Sequence, residues 1–455
     1  METTDSKHQK TESIKQSRSP FDLIVNQIWR NKSLTERWPQ SSVSRFFKLS
    51  DNSTKTDCST GRDGLEEMSL DSEANENMST ISDVENRAAS WQQVVEFMDK
   101  LGKKPHHKCL NLNNSGLTVN EIVQLAAVLP NFPSLEELDL SWNESIGGAL
   151  KLLNSHLQHT PQLRVLELSS CALSALDISS LGESIQFLVN IEKIDLSWNC
   201  DLGGNLSLFT QKLQPSFTLK ILKLVDCNLT AEDGIALAQI IPLLKNLQVL
   251  NLAMNKNIGD AVRNLIARIR FLPKFKGLGV NNCNLLKESI VELADTLPNL
   301  TELETLDLSW NKCLGGNLGL LVQMLQNETR LRVVKLCSCN LTGQDLASLV
   351  SLSCAGILSS LETLHLTYNN TVDDQSWVMF FKEIDGLKAL SELDIGLMPL
   401  SHRECSPWLA VLLSCLPRLP SLLELGMHHW VISASQCELL DTFNHQHQRN
   451  IHFTY

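Results

Sequence analysis

Thirteen cysteines offer the chain's most obvious chemistry, and four of them (Cys171, Cys227, Cys283 and Cys339) recur at steps of 56 residues. A thiol slot refilled at a fixed step implies a structural job inside each unit. Neighbouring copies stand two units apart, roughly 10 Å at strand spacing, too far for a disulfide to bridge. Reduced thiols, and hence a cytoplasmic setting, are expected. His106-His107 with Cys109, and His445 with His447, lack a second cluster at zinc-like spacing, so no metal is expected. The glycine pairs at 147–148, 203–204 and 315–316 have no following Lys-Ser/Thr and read as turn residues, not phosphate loops. No nucleophile-base motif appears, which points to a protein without catalysis or cofactor. A formal charge of −12 opposes a nucleic-acid partner.

Residues suited to recognition remain. Trp142, Trp198 and Trp310 recur in one slot, with Met254 and Tyr368 in the matching places. Exposed aromatics of this kind serve protein interfaces as anchors. A second set is acidic: Asp139, Glu167, Asp195 and Asp307, interleaved with Lys193, Lys223 and Lys335. Together they suggest a surface for a protein partner with basic patches. The plainer alternatives are indoles that pack on neighbouring units and a carboxylate row that is merely solvated.

These residues are positioned by two alternating phrases. Leu138-Asp-Leu-Ser-Trp-Asn143 returns at 194 and 306, and Leu166-Glu-Leu-Ser-Ser-Cys171 has counterparts at 222, 278 and 334. Twelve strand phrases begin at 110, 138, 166, 194, 222, 250, 278, 306, 334, 364, 393 and 423. A fixed period of 28 residues marks a solenoid, in which each unit buries its apolar side on the next. Each phrase reads as a short strand, followed by a helix-length apolar pattern such as 119–129, which Pro130 ends. Parallel strands joined by helical crossovers must curve, because helices are about 10 Å wide and strands about 4.8 Å apart. The expected fold is an α/β horseshoe with parallel strands on the concave face and helices on the convex face.

Residues 1–88 are polar and aperiodic and read as a largely disordered extension, with a possible short amphipathic helix at 21–29. That extension is charge-split, with nine Lys/Arg against five Asp/Glu over 1–50 and three against ten over 51–90. Residues 89–106 carry helical spacing from Trp91 to Leu101 and are expected to cap the array. Residues 107–455 form the solenoid of about twelve repeats, with Ile451-His-Phe453 as a closing strand. No run is long and apolar enough for a membrane span.

The pattern Leu-x-x-Leu-x-Leu-x-x-Asn/Cys-x-Leu, as in Leu135-Glu-Glu-Leu-Asp-Leu-Ser-Trp-Asn143, resembles the leucine-rich repeat. The 28-residue period and the alternating Asn-type and Cys-type units resemble the ribonuclease-inhibitor subfamily. That resemblance implies a rigid arc, expected here as a monomer, whose concave strand ends and following loops bind a basic partner through aromatic and acidic side chains. Two rival functions share the scaffold: inhibition of a secretory-type ribonuclease, and regulation of an enzyme such as a small GTPase.

Overall fold

The computed structural model describes residues 95–103, 106–325 and 329–455. The expectations for residues 1–88, including the helix at 21–29, lie outside them. Of the cap, residues 95–100 are helical, and Phe97 and Met98 are buried in the common core.

Thirteen three-residue strands form one parallel sheet in strict chain order. They are β1 (Cys109–Asn111), β2 (Glu137–Asp139), β3 (Val165–Glu167), β4 (Lys193–Asp195), β5 (Ile221–Lys223), β6 (Val249–Asn251) and β7 (Gly277–Gly279). They continue through β8 (Thr305–Asp307), β9 (Val333–Lys335), β10 (Thr363–His365), β11 (Glu392–Asp394), β12 (Glu424–Gly426) and β13 (His452–Thr454). From β1 to β12 each strand buries its central side chain, as in Leu138 between the less buried Glu137 and Asp139, whereas Phe453 in β13 is only half-buried. Helices return the chain on the other side, which makes the sheet the concave layer of a curved α/β leucine-rich-repeat fold.

The helical returns are unequal, where full helices were expected throughout. Cys-type coils carry ten-residue helices such as Ala175–Ser184 and Ala231–Ile240. Several Asn-type coils manage only Leu150–Asn154, Ser207–Thr210 or Leu318–Val322. The cause is local: after Asn143, Asn199 and Asn311 the chain spends residues on a 3₁₀ turn and a glycine pair. A Cβ on Gly147, Gly203 or Gly315 would run into the backbone oxygen of Ala172, Asn228 or Asn340 in the next coil. The following Gly148 adopts φ +81° and donates its N–H to Asp177 at 2.6 Å. Gly204 and Asp233, then Gly316 and Asp345, repeat this staple at 2.6 and 2.7 Å. The same aspartates close the capping boxes that start their own helices. Proline does not end its helix abruptly either: Pro130 and Pro298 sit inside the 3₁₀ turns Leu129–Asn131 and Leu297–Asn299.

Register also departs from expectation near the end. Leu393 pairs with Leu425, not Leu423, and Leu425 pairs with Phe453. The coil from β11 to β12 is therefore longer than the sequence phrase suggested, and Leu423 is left 65% exposed.

A buried polar spine runs beneath the sheet. Asn199 donates through Nδ2 to Leu168 O (2.9 Å) and Leu196 O (2.8 Å), and accepts at Oδ1 from the N–H groups of Cys171 and Leu173. Asn143, Asn255, Asn311 and Asn369 occupy the same place, reaching back to the preceding coil at 2.7–2.9 Å. Cys171, Cys227, Cys283 and Cys339 are the alternate rungs, each thiol donating to the preceding coil at 3.1–3.4 Å. Trp430 takes the asparagine place in the twelfth coil, its indole N–H donating to Ile395 O at 2.9 Å. All twelve described cysteines are free. Burial pushes the Cys171 and Cys283 thiols up to about 12, so these rungs are inert packing groups.

Candidate functional site

Each coil leaves its strand through one residue in the left-handed region. In Cys-type coils the occupants are Asn114, Ser170, Asp226, Asn282 and Ser338, at φ between +49° and +55°. Small polar side chains tolerate that conformation. In Asn-type coils the same turn is imposed on Trp142, Trp198, Met254, Trp310 and Tyr368, at φ +61° to +69°. Bulky residues there cost roughly 1–2 kcal/mol each. Their N–H groups extend the sheet ladder, for example Trp142 to Ser169 O and Trp310 to Cys337 O, both at 2.7 Å. Their side chains are only half-buried. The stripe stands at the strand ends on alternate coils, and over the coil of Ser338 the rings of Trp310 and Tyr368 meet, with centroids 6.1 Å apart.

The acidic set divides. Asp139, Glu167 and Asp195 are consecutive register partners across β2, β3 and β4 and form one row. Asp307 lies on β8, separated from that row by Lys223, Asn251 and Gly279 on the intervening strands. Much of this charge is already engaged. Glu167 pairs with Lys193, and Asp195, only 6% exposed, sits 3.4 Å from Lys223. Asp139, Asp195 and Asp307 each accept the N–H of the serine two residues on, at 2.9–3.1 Å, so they also shape the strand ends. Burial raises the Asp307 carboxyl above its usual range.

Sequence reasoning overlooked two features. The residue before each of the first five strands alternates in sign, giving the ladder Lys108–Glu136 (2.6 Å), Glu136–Arg164 (3.9 Å), Arg164–Glu192 (3.0 Å) and Glu192–Lys220 (2.9 Å). Such exposed pairs add little stability each, but they cancel the field along that edge. The signal was present as alternating charge at a 28-residue step. The second is a cluster around His365, whose Nε2 lies 2.7 Å from Glu392 Oε1. His365 stands where β2, β4, β8 and β11 carry aspartate. Burial pulls its pKa down, but interactions with Cys337 and Glu392 outweigh that and push it up to about 9. Among the described residues no group of His, Cys, Asp and Glu is arranged to hold a metal ion. No helix among them is long and apolar enough to cross a membrane.

A leucine-rich-repeat family model matches residues 133–149 and 216–238. The mouse ribonuclease inhibitor is 26% identical over 345 residues, covering 74% of this chain and 73% of that protein. The pig ribonuclease inhibitor is 31% identical over 275 residues, 59% of each chain. A solved internalin from Listeria monocytogenes overlaps with a TM-score of 0.37 at 17% identity, covering 70% of this chain and 90% of its own. The chain is similar to leucine-rich-repeat proteins, the ribonuclease inhibitors among them, and those relatives are non-catalytic binding scaffolds.

Proposed function

We propose that the arc binds a protein partner along its concave face and aromatic lip, in the cytoplasm and as a monomer. The observation that carries this reading is the left-handed backbone at Trp142, Trp198, Trp310 and Tyr368. Large half-exposed rings stand where small polar residues would relieve strain, and strain of this kind concentrates at binding sites. A stiff arc loses little entropy on docking, so rigid aromatic anchors on it are well used. The row of Asp139, Glu167 and Asp195 favours a partner with basic patches, although Lys193 and Lys223 thin its field.

The test is the affinity of an isolated partner for a double charge reversal, Asp139→Lys with Asp195→Lys, and for Trp198→Ala. The reversal should weaken binding and flatten its salt dependence, and Trp198→Ala should cost about tenfold or more in affinity. Unchanged affinity in both variants rejects the reading. The similarity to two ribonuclease inhibitors supports a second one, inhibition of a secretory-type ribonuclease. Stoichiometric chain that fails to protect RNA from such an enzyme removes it.

A further inference from the structure

We propose that the side of the arc opposite the aromatic lip docks on an anionic lipid bilayer, through Phe187, Leu243 and Phe271 with Lys245 and Lys274 beside them. The lip stands where the strands end; this row stands where the helical returns end, before the next strand begins. Phe187, Leu243 and Phe271 fill one slot of the 28-residue period, with Pro215 in the coil between. The three apolar side chains are each 44–50% exposed, and Val189, beside Phe187 in the same loop, is exposed as well. In the flanking coils the slot turns polar, with His159 before and Asn299 after. The apolar row is therefore confined to one stretch of the side, roughly 15–30 Å long at strand and helix spacings.

Four exposed cations bracket the row, Lys212 and Arg268 toward the helices and Lys245 and Lys274 toward the strands. Neighbouring coils are tied together here: Lys245 Nζ donates to Phe271 O at 3.3 Å, and Lys274 Nζ donates to Asn246 Oδ1 at 3.0 Å. None of the four makes an ion pair among the described residues, whereas Lys220 and Lys276 nearby are held by Glu192 and Glu304 at 2.9 and 2.7 Å. Glu183, one turn before Phe187, and Asp295, in the coil after Phe271, are exposed acids at its two ends. The whole chain is acidic, at −12, but salt screens charge beyond about 8 Å. An approaching surface therefore responds to the side it faces, and here the unpaired charge is positive.

Apolar rings flanked by cations match the interfacial zone of a bilayer, where aromatics lie at headgroup level and Lys and Arg meet anionic lipid. A contiguous exposed patch of this kind marks contact with another body. An acidic protein would use the same cations. A bilayer also takes up rings that stand one to a loop along an edge, with no pocket needed for each. Docked by this side, the arc keeps its lip free, so the contact does not depend on the lip's partner.

The experiment is co-sedimentation of the full chain with vesicles of equal parts phosphatidylserine and phosphatidylcholine, against vesicles of phosphatidylcholine alone. Binding to the mixed vesicles should be about tenfold stronger or more, and should weaken as salt is raised. Residues 1–50, with nine Lys/Arg against five Asp/Glu, are a second source of attraction, so two double variants decide the surface. Lys245→Gln with Lys274→Gln, and Phe187→Ser with Phe271→Ser, should each lower the affinity about tenfold or more, with circular dichroism unchanged. Trp198→Ala, on the lip, should leave vesicle binding as it was. No preference for phosphatidylserine overturns the proposal and leaves an acidic protein as the fitting occupant. Binding that either double variant leaves intact overturns it equally, and so does loss of vesicle binding in Trp198→Ala.

Discussion

Replacing Asn199 by alanine should be far more damaging than replacing Cys227, although both are buried rungs of one spine. Asn199 holds five backbone groups: Leu168 O, Leu196 O, Ser197 O and the N–H groups of Cys171 and Leu173. Leu196 O and Ser197 O would each keep a second partner, the Cys227 thiol at 3.2 Å and the Ser170 N–H at 2.9 Å. The other three would be left buried without one. At about 1–2 kcal/mol for each orphaned group, Asn199→Ala should cost about 4 kcal/mol. Cys227→Ala removes one weak S–H donor, and Leu196 O keeps the Asn199 amide at 2.8 Å, so its cost reduces to a small cavity of about 1 kcal/mol. Urea unfolding followed by far-ultraviolet circular dichroism measures the difference. Hydrogen exchange at the Cys171 and Leu173 amides locates it, with faster exchange in Asn199→Ala only. Two variants within about 1 kcal/mol of each other, or unchanged exchange at those amides, would refute the assignment of the spine.

The glycine pairs make an inverted prediction. Gly204, at φ +80°, has open space around a would-be Cβ, so Gly204→Ala should cost about 1–2 kcal/mol. Gly203→Ala drives a methyl into Asn228 O and should cost about 3 kcal/mol or more, which thermal unfolding of the pair will rank. The His365 pair makes stability depend on pH. A folded pKa raised from 6.5 to about 9 adds stability that is complete below pH 6.5 and lost as pH rises toward 9. Because the ring is only 4% exposed, the shift converts to about 3 kcal/mol, visible as a decline in stability between those limits that His365→Gln should flatten. Glu392, held below its usual range chiefly by His365, adds the opposite limb, lost as pH falls through its folded pKa.

Much of the architecture was legible because the chain repeats itself. Leucines at a 28-residue step can all be buried together only in equal, stacked coils, and the asparagine and cysteine slots follow from the need to pair bent backbone. What escaped was hidden by mimicry or by distance. Leu423-Glu-Leu425 imitates the strand phrase, yet the register starts the true one at Leu425. The short helices of several Asn-type coils follow from the close approach of Gly147 to Ala172 O, a contact between coils that no single unit announces. The aromatic slot could be read from residue type, but its left-handed backbone could not. Asp307 was grouped with Asp139 by its slot, whereas three intervening strands separate it from Asp195. His365 and Glu392 went unremarked because each sits on a different strand and only register brings them together.

The claim that the lip is the binding surface is tested most directly by site-specific photocrosslinking. A photoreactive residue at 142, 198 or 310 is compared with the same residue at exposed helical positions such as Val123, Val291 and Leu439. The account predicts one common adduct from the three lip positions, lost when Asp139 and Asp195 are reversed in charge, and none from the helices. The same adduct from the helical positions, or none from the lip, would contradict it.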